Sequence, residues 1–280
     1  MGHRNRATGW QYAKITGHKN EDLVKQLLTN DVVFQKNFLT KINRESDHII
    51  ETSIGGLHEK NVPSVNKNKT TKSKTDLKVF LSNNETVNIS IKKSLRGQVY
   101  FVRAGLFIDT FEKQFNSHIP PSVQRAINLF WSASDDALDI IEKYADKSNR
   151  KTYNLQIKHK SLNATTLKNF DEKLYYGLLN WFINNAYEIA KLSFSMGAAI
   201  DRNNWSDFIW YINLLKENNI NDIFYIEDIC NAVKLTAKSD TYFSNVNGGT
   251  AIQLPFGFVQ WHQGQLQFHH NYDKIKKLLN

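Results

Sequence analysis

The chain is poor in the residues that staple or interrupt a fold. A single cysteine, Cys230, rules out an intramolecular disulfide and any zinc site built from several thiolates. At 280 residues the chain needs no such staples, since that length buries a sizeable core. The lack of disulfides fits a reducing compartment, and a prokaryotic cytoplasmic location is the expectation. Only 4 prolines and 13 glycines exclude a linker-rich or low-complexity chain. No apolar run approaches the roughly 18 residues of a membrane-spanning helix. The opening MGHRNRATGW is basic with no apolar run behind it, which does not read as a secretory signal. Phosphate-loop and dinucleotide fingerprints are absent: Gly248 and Gly249 stand in neither GxxxxGK[ST] nor GxGxxG. His262, His269 and His270 match no zinc-ligand spacing, and Cys230 lies in an apolar helical stretch as a core residue.

What the chain does have is positive charge. Lys plus Arg number 36 against 27 Asp plus Glu, a formal net charge of +9. A basic chain with 12% aromatics points to a polyanionic partner, nucleic acid above all. The charge is locally concentrated. Lys60, Lys67, Lys69, Lys72, Lys74 and Lys78 share their stretch with one acid, Asp76. Residues 52–75 carry two adjacent glycines and many Lys, Asn, Ser and Thr residues, the composition of a long, solvated loop.

Hydrophobic periodicity divides the rest. A short helix is expected over about 20–28, with Asn20 as its cap and Glu21 and Asp22 in its first turn. DLKVFLS, VNISIKKS and GQVYFVRAG, within 76–103, read as the strands of a three-strand core. Helical spacing then dominates through LFIDTFEKQF, SVQRAINLFWSASDDALDIIEKYA, a block over about 165–199, WSDFIWYINLL and IEDICNAVKLTA. TAIQLPFGFVQWHQGQLQFHH returns to strand, with a turn at Gly264. The expectation is an α/β (α+β) fold in one domain, 1–280. Its core would cover about 15–115, its helical block about 120–235 and its C-terminal hairpin about 248–272.

The first two strands carry the chemistry. Burying Leu77, Val79 and Leu81 together with Val87, Ile89 and Ile91 sets 77 opposite 91, 79 opposite 89 and 81 opposite 87. That register leaves Asn83, Asn84 and Glu85 as the turn. On the other face it sets Asp76 opposite Lys92 and Lys78 opposite Ser90. A carboxylate suits Mg²⁺, which prefers oxygen ligands, and a nearby lysine can orient water or neutralise a phosphate. The same pair would also serve as a cross-strand salt bridge on a solvated face.

SKTDLKVFLSNNETVNISIKKS resembles the core of the PD-(D/E)XK nuclease superfamily, above all its type II restriction endonucleases, over about 20 of the 280 residues. The resemblance implies a restriction-endonuclease-like core, a small mixed sheet flanked by helices. It implies Mg²⁺-dependent cleavage of double-stranded DNA at a specific short sequence, leaving 5′-phosphate ends. Asp76 matches the family's metal-binding Asp and Lys92 its Lys. A homodimer and a cognate DNA methyltransferase, a genetic rather than physical partner, are further implications. The chain departs from the pattern at Ser90, where the family carries its second acid. Glu21, on a helix before the sheet, is the candidate replacement, a backbone carbonyl is another, and Ser90 can act through a water molecule. Two other readings remain: a structure-specific repair or recombination nuclease of the same fold, and a non-catalytic DNA-binding module.

DNA contacts are expected to divide by chemistry. Lys67, Lys69, Lys72, Lys74, Lys93, Ser94 and Arg96 suit phosphates, which carry no sequence information. Gln260, His262 and Gln265 flank the Gly264 turn and suit base edges, because a β-ribbon can enter the major groove. Gln253 and Gln260 differ by an odd number, so one unbroken strand cannot show both on one face, and Pro255 and Gly257 are expected to break the run.

Overall fold

The structure is a computed structural model that describes residues 6–55, 61–131, 134–215, 220–244, 249–262 and 264–280, with side chains from residue 15 onward. Lys60 and Gly248 lie outside the described residues. The strands are β1 (Ile49–Ile54), β2 (Val62–Pro63), β3 (Thr70–Thr71), β4 (Leu77–Leu81), β5 (Thr86–Lys92) and β6 (Arg96–Val102). There follow β7 (Phe208–Ile212), β8 (Asn221–Tyr225), β9 (Tyr242–Ser244), β10 (Ala251–Leu254), β11 (Gly257–His262) and β12 (Gln265–Asn271). The helices are α1 (Arg6–Asn30), α2 (Val32–Lys41), α3 (Ala104–Phe115), α4 (Pro121–Trp131), α5 (Asp136–Tyr144) and α6 (Arg150–His159). The rest are α7 (Ala164–Phe170), α8 (Glu172–Asn184), α9 (Ala186–Lys191), α10 (Ile226–Asp240) and α11 (Tyr272–Leu279). Among the described residues no helix is long and apolar enough to cross a membrane. The chain forms two compact units, one from residues 1–64, 68–95 and 194–227, the other from 65–67, 96–193 and 228–280.

The first unit is built on a five-stranded mixed sheet in the order β1-β4-β5-β7-β8. β5 and β7 run parallel and the other neighbours are antiparallel. One face is apolar: Leu77, Val79, Leu81, Val87, Ile89, Ile91, Trp210 and Ile212 pack with Val24 and Leu28 of α1 and Phe38 and Leu39 of α2. Trp210 lies against Phe34 and Phe38, with ring centroids 5.8 and 5.2 Å away. Each such side chain stabilises the fold by about 1.5–3 kcal/mol through burial. Asp31 starts α2 by accepting from the Val33 and Phe34 amides.

Several expectations change. α1 is much longer than 20–28, so Asn20 is no cap and Glu21 is in no first turn. Asn20 sits buried in mid-helix, where its side chain donates to the Ile212 carbonyl at 3.1 Å and accepts from the Leu214 amide at 2.8 Å. FIWYI is not helical but is strand β7. Its helix-like apolar spacing reflects a strand in the sheet interior with both faces covered, where 2-residue and 3.6-residue periods cannot be told apart. The lysine segment is structured where it is described: β2 pairs with β3, and Ser73 and Thr75 are buried.

The register of β4 with β5 is also corrected. Leu77 stands opposite Ile89, Lys78 opposite Asn88, Val79 opposite Val87 and Phe80 opposite Thr86, a slip of two residues from the expected pairing. A slip of two leaves every side chain on its own face, so alternation cannot tell the two registers apart. The turn decides between them. Its three residues are Ser82, Asn83 and Asn84: the Asn84 amide donates to the Leu81 carbonyl at 3.0 Å, and the Leu81 amide to the Glu85 carbonyl at 2.9 Å. Asn84 is the residue that turns left-handed, with φ 67°. Ser82 and Asn83 donate to Asp47, and Arg44 grips the Glu85 carboxylate with two bonds of 2.8 and 3.0 Å.

The second unit holds a five-stranded antiparallel sheet in the order β6-β12-β11-β10-β9. GQVYFVRAG, expected as a third core strand beside β5, is β6 and pairs with β12 instead. The expected C-terminal ribbon, β11–β12, is therefore flanked by β10 and β6 and is not an edge hairpin. Phe107, Phe111, Trp181 and Phe268 form an aromatic core between α3, α8 and β12. Gly257 lets β11 meet β12: a Cβ there would fall 1.9 Å from the His269 carbonyl oxygen.

The turn yields a stability prediction. Asn84→Gly should leave urea stability within about 0.5 kcal/mol, while Asn84→Val should cost about 1–2 kcal/mol, because a β-branched residue resists the left-handed region. The check is a shift of the unfolding midpoint at constant slope; equal stabilities would refute the turn geometry.

Candidate active site

Asp76 immediately precedes β4, and its amide donates to the Ile89 carbonyl at 2.8 Å. The strand pairing ends at Leu77–Ile89, so Asp76 does not pair with Lys92, and its carboxylate reaches Ser90 instead. Likewise Lys78 faces Asn88 rather than Ser90. The expected convergence nevertheless occurs, because Lys92 is on the same face as Ser90 and its stem spans the extra distance. One oxygen of Asp76, Oδ2, accepts from the Ser90 hydroxyl at 3.1 Å and from the Ile91 amide at 2.8 Å. Lys92 Nζ donates to Ser90 Oγ at 2.7 Å and lies 3.7 Å from Asp76 Oδ2. Ser90 thus spends its one proton on Asp76 and receives one from Lys92, which fixes its hydroxyl rotor. Ser90 is buried, while Asp76 and Lys92 keep about a fifth of their side chains exposed, 22% and 20%. A small substrate group can reach the charged pair, and the hydroxyl behind it stays dry.

Lys74 belongs to this cluster and not with the surface lysines. Its ammonium feels both Lys92 and Asp76, and burial, then Lys92, push its pKa down to about 7, with Asp76 opposing. The sequence contains a signal for this that charge counting overlooks. Lys74, Asp76 and Lys78 alternate with the buried Ser73, Thr75, Leu77 and Val79.

α1 is fastened at the same end of the sheet. Lys93 Nζ donates to Thr16, and the bonds of Asn20 reach Ile212 and Leu214, just past β7. Glu21 follows Asn20 directly and lies 3.4 Å from His18 Nδ1. Among the described residues, no group of three Asp, Glu, His or Cys side chains is placed to hold a metal ion. The oxygen donors at Asp76 and Ser90 are of the hard kind Mg²⁺ takes, but only one is charged. A single carboxylate suffices for Mg²⁺ when waters and substrate phosphates complete its shell. The donor set therefore fits a cation that is held jointly with a phosphate.

The other expected contacts divide. Lys67, Lys69, Lys72 and Ser94 are exposed, and so is Arg96, which pairs with Asp273 at 3.3 Å. Lys93 is half-buried and spends its ammonium on Thr16. In the second unit, Gln260 faces Gln267 and His262 faces Gln265, with Gly264 turning at φ 79°. His262 is exposed, Gln265 half-buried, and Gln260 half-buried beside His269 at 3.5 Å. The turn after Leu254 resets the face, so Gln253 and Gln260 share one despite their odd spacing.

No family model and no curated protein matches this chain. Among solved structures it is similar to the crystal structure of restriction endonuclease MspI in complex with its cognate DNA. The identity is 11%, the TM-score 0.42, and the match covers 84% of this chain and 76% of that one.

The network predicts the effect of losing its centre. Ser90→Ala removes one acceptor of Lys92 and a donor to Asp76, and should destabilise the fold by about 1–3 kcal/mol in urea unfolding. No change would mean that water replaces the hydroxyl without cost.

Proposed function

We propose that this chain is a Mg²⁺-dependent endonuclease of the type II restriction kind, cutting double-stranded DNA at a specific short sequence to leave 5′-phosphate ends. The observation that carries the reading is the convergence of Asp76, Ser90 and Lys92 on one polar sheet face, bonded to one another. The net charge of +9 and the exposed Lys67, Lys69 and Lys72 support a polyanionic substrate. Asp76 would hold the cation through its carboxylate, with Glu21 as the second acid. Bound Mg²⁺ supplies Lewis-acid polarisation of the phosphoryl group and neutralises its charge. Lys92, fixed by Ser90, orients the attacking water and its ammonium offsets charge at phosphorus. Water oxygen bonds to phosphorus as the bond to the 3′ oxygen breaks, and that oxygen leaves as a hydroxyl. A homodimer matched to a palindromic site, with a cognate methyltransferase as genetic partner, completes the reading.

Ser90 favours a second reading, a DNA-binding module that does not cut, because the site carries one acid where a nuclease of this pattern carries two. Plasmid DNA incubated with the protein and Mg²⁺ separates the two. Discrete fragments support the endonuclease, nonspecific or structure-dependent nicking a repair-type nuclease, and intact DNA the binding module.

Asp76→Ala and Lys92→Ala should each slow cleavage by about 100-fold or more while DNA binding remains measurable. Full activity in either variant would sink the assignment. Glu21→Gln should raise the Mg²⁺ concentration needed for half-maximal cleavage, and an unchanged requirement would remove Glu21 from the proposed metal site. Binding without metal tests the division of DNA contacts. Lys69→Ala should weaken binding to all duplexes alike and lower the salt slope by about one unit. Gln260→Ala or His262→Ala should cost roughly 1–3 kcal/mol on the cognate duplex alone. Equal losses on both duplexes would remove the β11–β12 turn as the reader.

A further inference from the structure

We propose that the solvent-facing side of the β6-β12-β11-β10-β9 sheet binds single-stranded nucleic acid, stacking unpaired bases on Phe101, Tyr242 and the Phe258–His269 pair. This goes beyond the nuclease reading, which sets base-edge contacts at the β11–β12 turn; here the faces of the bases lie on the sheet itself.

The two sides of the sheet differ in kind. Directly opposed residues share a face, so the register can be followed across all five strands. Phe243, Ile252, Val259, Phe268 and Tyr100 form one row, and all five are buried. Phe268 meets Phe107 of α3, and Phe243 meets Phe130 of α4 and Tyr175 of α8, so helices cover that side. The flanking rows point the other way. One runs through Tyr242, Gln253, Phe258, His269 and Gln98, the other through Ser244, Ala251, Gln260, Gln267 and Phe101. Aromatic rings stand in solvent there: Tyr242 is 52% exposed and Phe101 59%. Phe258 and His269 are half-buried and stack on each other, with ring centroids 4.5 Å apart and planes 6° from parallel. Burial of the first row accounts for the fold, and the exposed rings of the other side are left for a ligand.

The chemistry of these rows selects the ligand. Neither row contains an acid, and the glutamines bring amides that both donate and accept. Cations flank the rows. Arg96 and Lys274 line a cavity of about 340 Å³ together with Gln253, Phe258 and His269. The Lys274 ammonium donates to three neutral oxygens, Gln253 Oε1 and the Leu254 and Gly257 carbonyls, at 3.2–3.3 Å. Arg96 pairs with Asp273 at 3.3 Å in an exposed contact, which a phosphate replaces at little cost. At the other end of β11, His159 meets Trp261 edge to face at 5.0 Å, which sets the last turn of α6, with the exposed Lys158, against the same strand. Rings for base faces, amides for base edges and cations for phosphates are the parts of a single-strand site. A duplex keeps its base faces inside its own stack and cannot use the rings.

The test is metal-free binding of the full chain to a single-stranded oligothymidylate of about 12 nucleotides and to a duplex of the same length. Phe101→Leu and Tyr242→Leu keep apolar bulk and remove the ring, and both positions are exposed, so folding is not at stake. Each should weaken single-strand binding by about tenfold and leave duplex binding within about twofold. Phe101→Trp should bind the single strand at least as tightly as the wild type. Tyr176→Leu, which removes an exposed ring on α8, should change nothing. Asp76→Ala should bind the single strand as the wild type does, so a failure to cleave DNA counts against the nuclease reading alone. A wild type that binds no single strand, or leucine variants that bind it equally well, overturns the proposal. So does a change of Phe101→Leu from dimer to monomer with unchanged single-strand affinity, which would make this side an interface between copies of the chain.

Discussion

One carboxylate oxygen, Asp76 Oδ2, ties the first unit's fold to its candidate site. It accepts from the backbone amide of Ile91 and from the hydroxyl of Ser90, and it faces the ammonium of Lys92. The amide bond belongs to the sheet and holds the start of β4 to the end of β5. The hydroxyl and the ammonium belong to the site. A single acceptor shared between the two means that strand pairing and site geometry cannot shift independently. Charge-assisted bonds of this kind are shorter and stronger than neutral ones, and in a partly buried place they are costly to leave unmade.

The position of β5 explains why the cluster is ordered. β5 is buried along most of its length, where a polar group left without a partner is costly. Ser90 is buried and bonds with Asp76 and Lys92. The apolar face, packed by α1 and α2, supplies the stability that lets the opposite face carry charge. The Glu85–Arg44 clasp and the Asn84 turn fix the far end of the hairpin, and with it the residue that stands beside Asp76.

The basic residues do three kinds of work. Lys67, Lys69 and Lys72 are exposed to solvent, on the side from which a polyanion would approach. Lys93 fastens α1 to the sheet through Thr16. Lys74 has Asp76 and Lys92 as electrostatic neighbours, and burial, then Lys92, make its charge harder to keep. A net charge counts all of these alike and so points to the class of partner, not to the residue that meets it.

Period-2 alternation in DLKVFLS and VNISIKKS determined, from the sequence alone, that a hairpin forms, which face is apolar, and that Asp76, Ser90 and Lys92 share the other. Alternation is blind to a slip of two residues, so the turn around Asn84 had to choose the pairing, setting Ser90 and not Lys92 beside Asp76. FIWYI reads equally well as helix or strand because both of its faces are apolar, and pairing with β5 and β8 made it a strand. GQVYFVRAG was legible as a strand but not as a partner of β12, because edge hydrogen bonding is the same for any neighbour. Lys74 was visible only as one lysine in a basic run. Its backbone is held by Asn204 and Ser206 and its stem lies along Gly197, more than a hundred residues away along the chain, and local pattern carries no record of contacts at that separation.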